Sequence, residues 1–378
     1  MKMTKEIFDW VESNFDRQLE LHKTLAQIPA PSGKEEMRVE FITGWLRDHG
    51  VRDVFVDDAL NVICPFGMTD SNQLVVYCAH SDVVFPDMTP LPLKEEDGRL
   101  CCPGIGDDTA GVVPLMMVAE YIAKNDLKAT DEGVLIVINS CEEGLGNLKG
   151  TRKLMETYGS RVKEFISFDG RSGGAVDKAV GSRRFKIEID TEGGHSFSKF
   201  GNRNAIAYLA SLIDTLYTVK VPSGGMTTYN VGTISGGTSV NTIAQHAEML
   251  YEFRSDDRTS LEIMDRHLQA AIEFYRTKDV QVTVTLVGDR PCVGDVDEEA
   301  WDRLRERANN TNLEHNGVDL KFVRGSTDCN IPLSMGIPAL TLGTYMGNGA
   351  HTREEYVELD SLLPGAKFAF DMVLDHFA

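Results

Sequence analysis

No apolar run in this 378-residue chain reaches the ~18 residues that a membrane span needs. The opening stretch MKMTKEIFDWVESNFDRQ carries scattered charge and lacks the apolar core of a secretory signal. Basic residues are scarce: 38 Lys and Arg stand against 58 Asp and Glu, a formal net charge of -20. Phosphate binding depends on Lys and Arg footprints, so nucleic acid is not an expected partner, and neither is a membrane. Cysteine is odd in number, with seven residues and no signal, which predicts reduced buried thiols rather than a disulfide framework. The expected compartment is therefore cytoplasmic. Internal repeats and low-complexity tracts are absent from the sequence.

What remains is the composition of a soluble globular protein, 42% hydrophobic and 25% charged. Its length predicts two domains. An amphipathic helix opens the chain, and a second starts at PSGKEEMRVEFITGWLRDHG, where Ser32 and Glu35 have the spacing of a capping box. Apolar strands then alternate with helices: strand 73–79, helix 109–125, strand 133–140 and strand 164–169. Continuous apolar strands separated by helices predict a doubly wound α/β domain with a mostly parallel sheet.

The texture changes near residue 181. A strand at 183–190, helix 202–219, strands 227–235 and 246–255, helix 260–277 and strand 280–287 follow one another, the order of a ferredoxin-like split unit. The α/β texture returns near residue 291, with a helix from DEEAWDRLRERANN, strand 337–343 and a last helix near LLPGAKFAFDMVLDHF. The expected organisation is a discontinuous domain, 1–180 with 291–378, interrupted by an α+β domain at 181–290.

Ligands in open α/β sheets bind beyond the carboxyl ends of the strands. His80 and Asp82 end the first strand, Glu142 and Glu143 the next, and Asp169 the one after. His351 lies a short glycine-rich loop beyond strand 337–343, and Asp107 and Asp108 precede a helix. Two histidines with several carboxylates suit zinc or a similar divalent ion. The carboxylates outnumber the needs of one tetrahedral ion, which suggests two ions sharing a bridging carboxylate. Adjacent glutamates repel by roughly 1 kcal/mol or more unless a cation or proton intervenes. One of the pair then binds metal and the other takes a proton from water. Each residue also has a plainer reading, since a strand-end His is often structural and an Asp pair before a helix is often a cap. Cys78 and Cys141 lie beside the site and are read as packing residues. His22, His49, His246, His267, His315 and His376 are read as surface or packing histidines.

The ordered segments AHSDVV, PGIGDDTAGVV, SCEEGLG, FDG and GAHTREE resemble the M20 family of co-catalytic zinc peptidases, particularly its tripeptidase (peptidase T) branch. The resemblance spans nearly the whole chain, and it implies that the inserted domain is a lid. It further implies that His80 and Asp169 hold one zinc and Glu143 and His351 the other, with Asp107 bridging. Cobalt or manganese are possible substitutes for zinc. Asp82 is implied to orient His80, and Glu142 to be the general base. In the family, the bond matching Asp107–Asp108 is a cis peptide. In the lid, GGHSF, GGTSVNTIA and YEFRS resemble substrate-contacting segments. They imply His195 on the reacting carbonyl oxygen and Asn241 and Arg254 on a substrate carboxylate, the plainer readings being a loop histidine and a strand-end surface charge.

The implied activity is release of the N-terminal residue of di- or tripeptides. Asp at position 169, where other branches often have Glu, resembles the aminopeptidases. A carboxypeptidase or N-acyl amino acid hydrolase is the nearest alternative, and a non-catalytic binding protein of the same fold a more distant one. Two departures, Thr109 where the branch commonly has Lys and CCPG where it often has Tyr-Gly-Pro-Gly, bear on substrate preference. Some relatives pair through an edge strand of the lid, so a homodimer is a possible assembly.

Overall fold

A computed structural model describes residues 3–378. The chain forms two compact units: one runs to Lys178 and resumes at Gly294, and the other is Ala179–Val293.

The first unit is built on an eight-stranded sheet. In spatial order its strands are Phe55–Val56, Val62–Phe66, Gly133–Asn139, Leu74–His80, Val162–Phe168, Ala339–Leu342, Gly174–Ala179 and Lys321–Gly325. The four central strands, from Gly133–Asn139 to Ala339–Leu342, run parallel. Leu74–His80 and Gly133–Asn139 are buried along their whole length, as expected of strands covered on both faces. The chain leaves Leu74–His80, returns as Gly133–Asn139 on one side of it, and then as Val162–Phe168 on the other. That reversal opens a crevice at the carboxyl end of Leu74–His80, where the candidate ligands fall.

The helix Thr109–Lys124 covers the sheet and is buried almost all round. Its start sits so close to the strand Val162–Phe168 that a Cβ on Gly111 would collide with the Phe168 carbonyl. The single opening helix of the sequence reading is in fact two, Lys5–Ser13 and Phe15–Gln27, broken at Asn14. Two further strands, Val62–Phe66 and Gly174–Ala179, carried no clear signal, the first because Pro65 lies inside it.

The second unit is a four-stranded antiparallel sheet ordered Thr227–Gly236, His246–Ser255, Gly181–Asp190, Gln281–Arg290. Numbered along the chain this is 2-3-1-4, the ferredoxin-like arrangement. Strand alternation sends Phe185, Ile187 and Ile189 with Met249, Tyr251 and Phe253 into a core beneath the helices Ala205–Leu216 and Arg258–Arg276. Each such side chain contributes about 1.5–3 kcal/mol by leaving water.

No helix of the described residues is long and apolar enough to cross a membrane. All seven cysteines are free, and six of them are buried.

Candidate active site

Four sequence-selected side chains touch directly. His80 ends its strand and sets Nε2 3.0 Å from Asp107 Oδ1. His351 sets its Nε2 3.1 Å from the other oxygen of the same carboxylate, Asp107 Oδ2, and 2.9 Å from Glu143 Oε1. Atoms of His80, Asp107 and Glu143 that can bind metal all lie within 4.8 Å of one another. Asp169 follows its strand directly, and its backbone N–H donates to Leu342 O at 3.0 Å. Burial raises the Asp169 carboxyl's pKa, and the nearby charges of Asp107 and Glu143 raise it further.

The loops that bring Asp107 and His351 together are joined by a small sheet. Arg99–Cys101 precedes the first loop and Tyr356–Glu358 follows the second, with Cys101 paired to Tyr356. Glu355 completes the junction. Its carboxylate accepts the backbone N–H groups of Gly104 (2.6 Å), Gly106 (2.9 Å) and Asp107 (2.8 Å). Nothing in the sequence pattern singled out Glu355, although it lies inside GAHTREE. The Asp107–Asp108 peptide is cis. Asp108 accepts His80 N–H (3.0 Å) and caps the helix at Gly111 N–H (3.2 Å), so its plainer reading as a cap describes its contacts.

Asp82 does more than face an imidazole. His80 Nδ1 donates to the Asp82 backbone carbonyl at 3.0 Å, and the Asp82 carboxylate stands 3.4 Å away. That carboxylate is closer to the amides of Glu142 and Glu143, each at 2.9 Å, and to Ser32 Oγ at 2.6 Å. It therefore pins the glutamate pair to the neighbouring strand end. The capping box expected at Ser32 and Glu35 does not form. Ser32 turns to Asp82, and the Glu35 side chain turns inward, leaving the helix Glu36–Asp48 without a side-chain cap.

The site is rich in carboxylates and poor in fixed positive charge. Asp82, Asp108, Asp328, Glu35 and Glu355 are buried around it. Arg38 is the one fully buried guanidinium among the described residues of this unit. It donates to Ile28 O and Ser81 O, and its charge is felt by Asp82, Asp108 and Glu355. Burial lowers its pKa to about 10, which leaves it cationic at neutral pH. The carboxylates of Asp107 and Glu143 raise the His351 pKa to about 11 in the metal-free chain, and a divalent ion would take the place of that proton on Nε2. These donors fit divalent metal. The Nδ1–H of His80 is already committed to Asp82, which leaves Nε2 as the ligand atom, and the Asp107 oxygens face two different imidazoles.

A candidate metal cluster thus lies at the crevice of a parallel sheet, and sequence comparison decides the family. The sequence model of Peptidase family M20/M25/M40 matches residues 76–375. The chain belongs to this family. As an M20 member it is a metallopeptidase, and its fold recurs in solved structures. A tripeptidase from Staphylococcus aureus matches with a TM-score of 0.76 at 22% identity, covering 95% of this chain and 98% of that one. A dinuclear metal-binding M20 peptidase from Bacillus subtilis gives 0.64 at 17% identity, covering 97% and 99%. Among curated relatives, a succinyl-diaminopimelate desuccinylase from Corynebacterium glutamicum is 24% identical over 359 residues, 90% of this chain and 92% of its own.

A cavity of about 290 Å³ opens beside Asp107 and Asp169, lined mainly by Ala175, Val176, Val323 and Tyr345, with Arg171 on its wall. In the second unit, His195 and Asn241 are neighbours: Ser196 N–H donates to Asn241 O at 2.9 Å, and His195 pairs with Thr242. His195 Nδ1 accepts the N–H groups of Phe197 (3.2 Å) and Ser198 (3.4 Å), which places its proton on Nε2. Arg254 is held by Glu252, Nε to Oε1 at 3.0 Å and Nη2 to Oε2 at 3.1 Å.

His246, read as a surface or packing histidine, is exposed and lies in a charged cluster. The antiparallel register sets it opposite Asp190, 2.9 Å from Nδ1, and sets Glu248 opposite Glu188. Period-two alternation puts all four on one face of the sheet, where the Lys186 ammonium already bridges Glu188 (2.9 Å) and Glu248 (2.8 Å).

Proposed function

We propose that this M20 peptidase carries two zinc ions and releases the N-terminal residue of short peptides. The observation that carries the reading is the Asp107 carboxylate, whose two oxygens each face a separate imidazole, the arrangement a bridging ligand needs. His80 and Asp169 would hold one ion, Glu143 and His351 the other. Bound there, a divalent pair supplies Lewis acidity that polarises a peptide carbonyl and acidifies a water molecule.

Glu142 performs the proton transfers. Its carboxylate takes a proton from the attacking water and delivers it to the departing amine nitrogen as the C–N bond breaks. Asp82 keeps the Glu142 and Glu143 backbone aimed, so that one carboxylate binds while the other moves a proton. His195 donates its Nε2–H to the carbonyl oxygen as negative charge grows there. Asn241 and Arg254 take a substrate carboxylate, with Arg254 exchanging part of its pairing with Glu252. A homodimer through the second unit is the corresponding proposal for assembly.

The relative named as a desuccinylase supports a second reading, hydrolysis of an N-acyl amino acid by the same centre. Assay of unblocked di- and tripeptides beside N-succinyl and N-acetyl amino acids, with and without chelator, separates the two. Cleavage of free peptides that chelator abolishes is the expected result. Turnover of acylated amino acids alone would overturn the aminopeptidase reading.

A further inference from the structure

The turn that presents Glu142 begins at Cys141, a non-glycine residue held at φ +57°. Left-handed backbone is unfavourable for such a residue and persists only where its surroundings fix it. Three successive amides of this turn, at residues 141, 142 and 143, each donate to a buried carboxylate oxygen. Asp82 takes the second and third, and Glu35 Oε1 takes the first, Cys141 N–H at 3.1 Å. The same oxygen accepts Gly33 N–H at 2.8 Å and the Cys141 thiol at 3.3 Å.

Glu35 is 0% exposed, and its other oxygen, Oε2, has no partner. An orphaned buried oxygen is unfavourable, and a residue serving only to start a helix has no reason to keep it. Burial raises the pKa of this carboxyl, and the charge of Asp82 raises it further. From the start of its helix the side chain joins the Gly33 amide to the turn that presents Glu142.

We infer that Glu35 is a positioning residue for the reaction: by accepting the Cys141 amide and thiol it fixes the turn from which Glu142 moves its proton. The inference rests on the assignment of Glu142 as general base. It concerns the Oε1 acceptor, so the isosteric Gln serves in place of Glu, whereas Asp, one methylene shorter, does not.

The test compares E35Q, E35D and E35A in the metal-loaded enzyme, with metal content measured on each. E35D and E35A are expected to lose about 10- to 100-fold in kcat, the scale of a misplaced catalytic group, with KM and metal stoichiometry unchanged. E35Q is expected to stay within about 3-fold of wild type. E35D keeps a buried polar group and guards against a variant that merely fails to fold. The double variant E35D/E142Q is expected to turn over no more slowly than E142Q alone, because Glu35 acts through Glu142. A purely structural role would multiply the two losses and would overturn the inference, as would E35Q failing alongside E35D. Full turnover by E142Q alone would instead remove the general-base assignment, an outcome distinguishable from any result at Glu35.

Discussion

At the scale of single residues, the proposed mechanism gives neighbouring carboxylates opposite duties. Glu143 faces His351 and belongs to the candidate metal cluster, whereas Glu142 is assigned the proton. Replacing Glu142 by Gln is expected to leave two metals bound and to reduce turnover about 10²- to 10⁴-fold. Replacing Glu143 by Gln is expected to reduce metal content as well, read by metal analysis of the purified variants. Equal metal and full activity in both would refute the division. Histidine away from the centre sets a pH limit. His22 is buried with Nε2 2.7 Å from Ile105 O, and burial lowers its pKa from 6.5 to about 4. Above pH 6.5 both folded and unfolded chains carry it neutral. Between pH 6.5 and 4 only the unfolded chain takes up the proton, so folding weakens by up to about 1.4 kcal/mol per pH unit from this residue. H22Q keeps a donor for Ile105 O and is expected to flatten the acid limb by one proton in urea titrations. An unchanged slope would exclude His22 as its source.

At the scale of elements, the centre is held by contacts between backbone amides and buried carboxylates. Glu355 fastens three amides of the loop that carries Asp107. E355A is expected to reduce metal affinity about 10- to 100-fold, the usual effect of losing a group that supports a ligand, measured by competition with a chromogenic chelator. The helix Thr109–Lys124 imposes a different constraint, because Gly111 leaves no room for a side chain between Asp108 and the Phe168 carbonyl. G111A is expected to shift the helix start, lowering the thermal midpoint and activity together. Strand-end placement of His80, Glu143 and Asp169 was legible in the sequence because parallel strands are continuous apolar runs that stop where chemistry begins. Glu35 and Glu355 were not legible as supports. A carboxylate that accepts amides from a distant loop has no periodicity, and the local spacing of Ser32 and Glu35 pointed to a capping box instead.

At the scale of the whole molecule, the ferredoxin-like order of the second unit was readable from strand alternation, and the interrupted α/β pattern from the return of apolar strands. The small sheet joining the Asp107 and His351 loops was not, because its strands are only two or three residues long. Nor was the His246 cluster, whose members meet through antiparallel register rather than through local spacing. Carboxylates concentrated at one sheet edge make metal a stability term. Addition of two equivalents of zinc to chelator-treated protein is expected to raise the thermal midpoint, with excess chelator reversing it. A midpoint indifferent to metal would show that the cluster does not bind it.

Arg38 gives this arrangement a kinetic consequence. Its charge is part of the chain and stays when a chelator removes the ions. Its hydrogen bonds to Ile28 and Ser81 keep the backbone beside His80 in register. A stripped enzyme should therefore be a waiting socket rather than a partly unfolded one. On returning zinc, activity should recover without a lag, at a rate proportional to metal concentration.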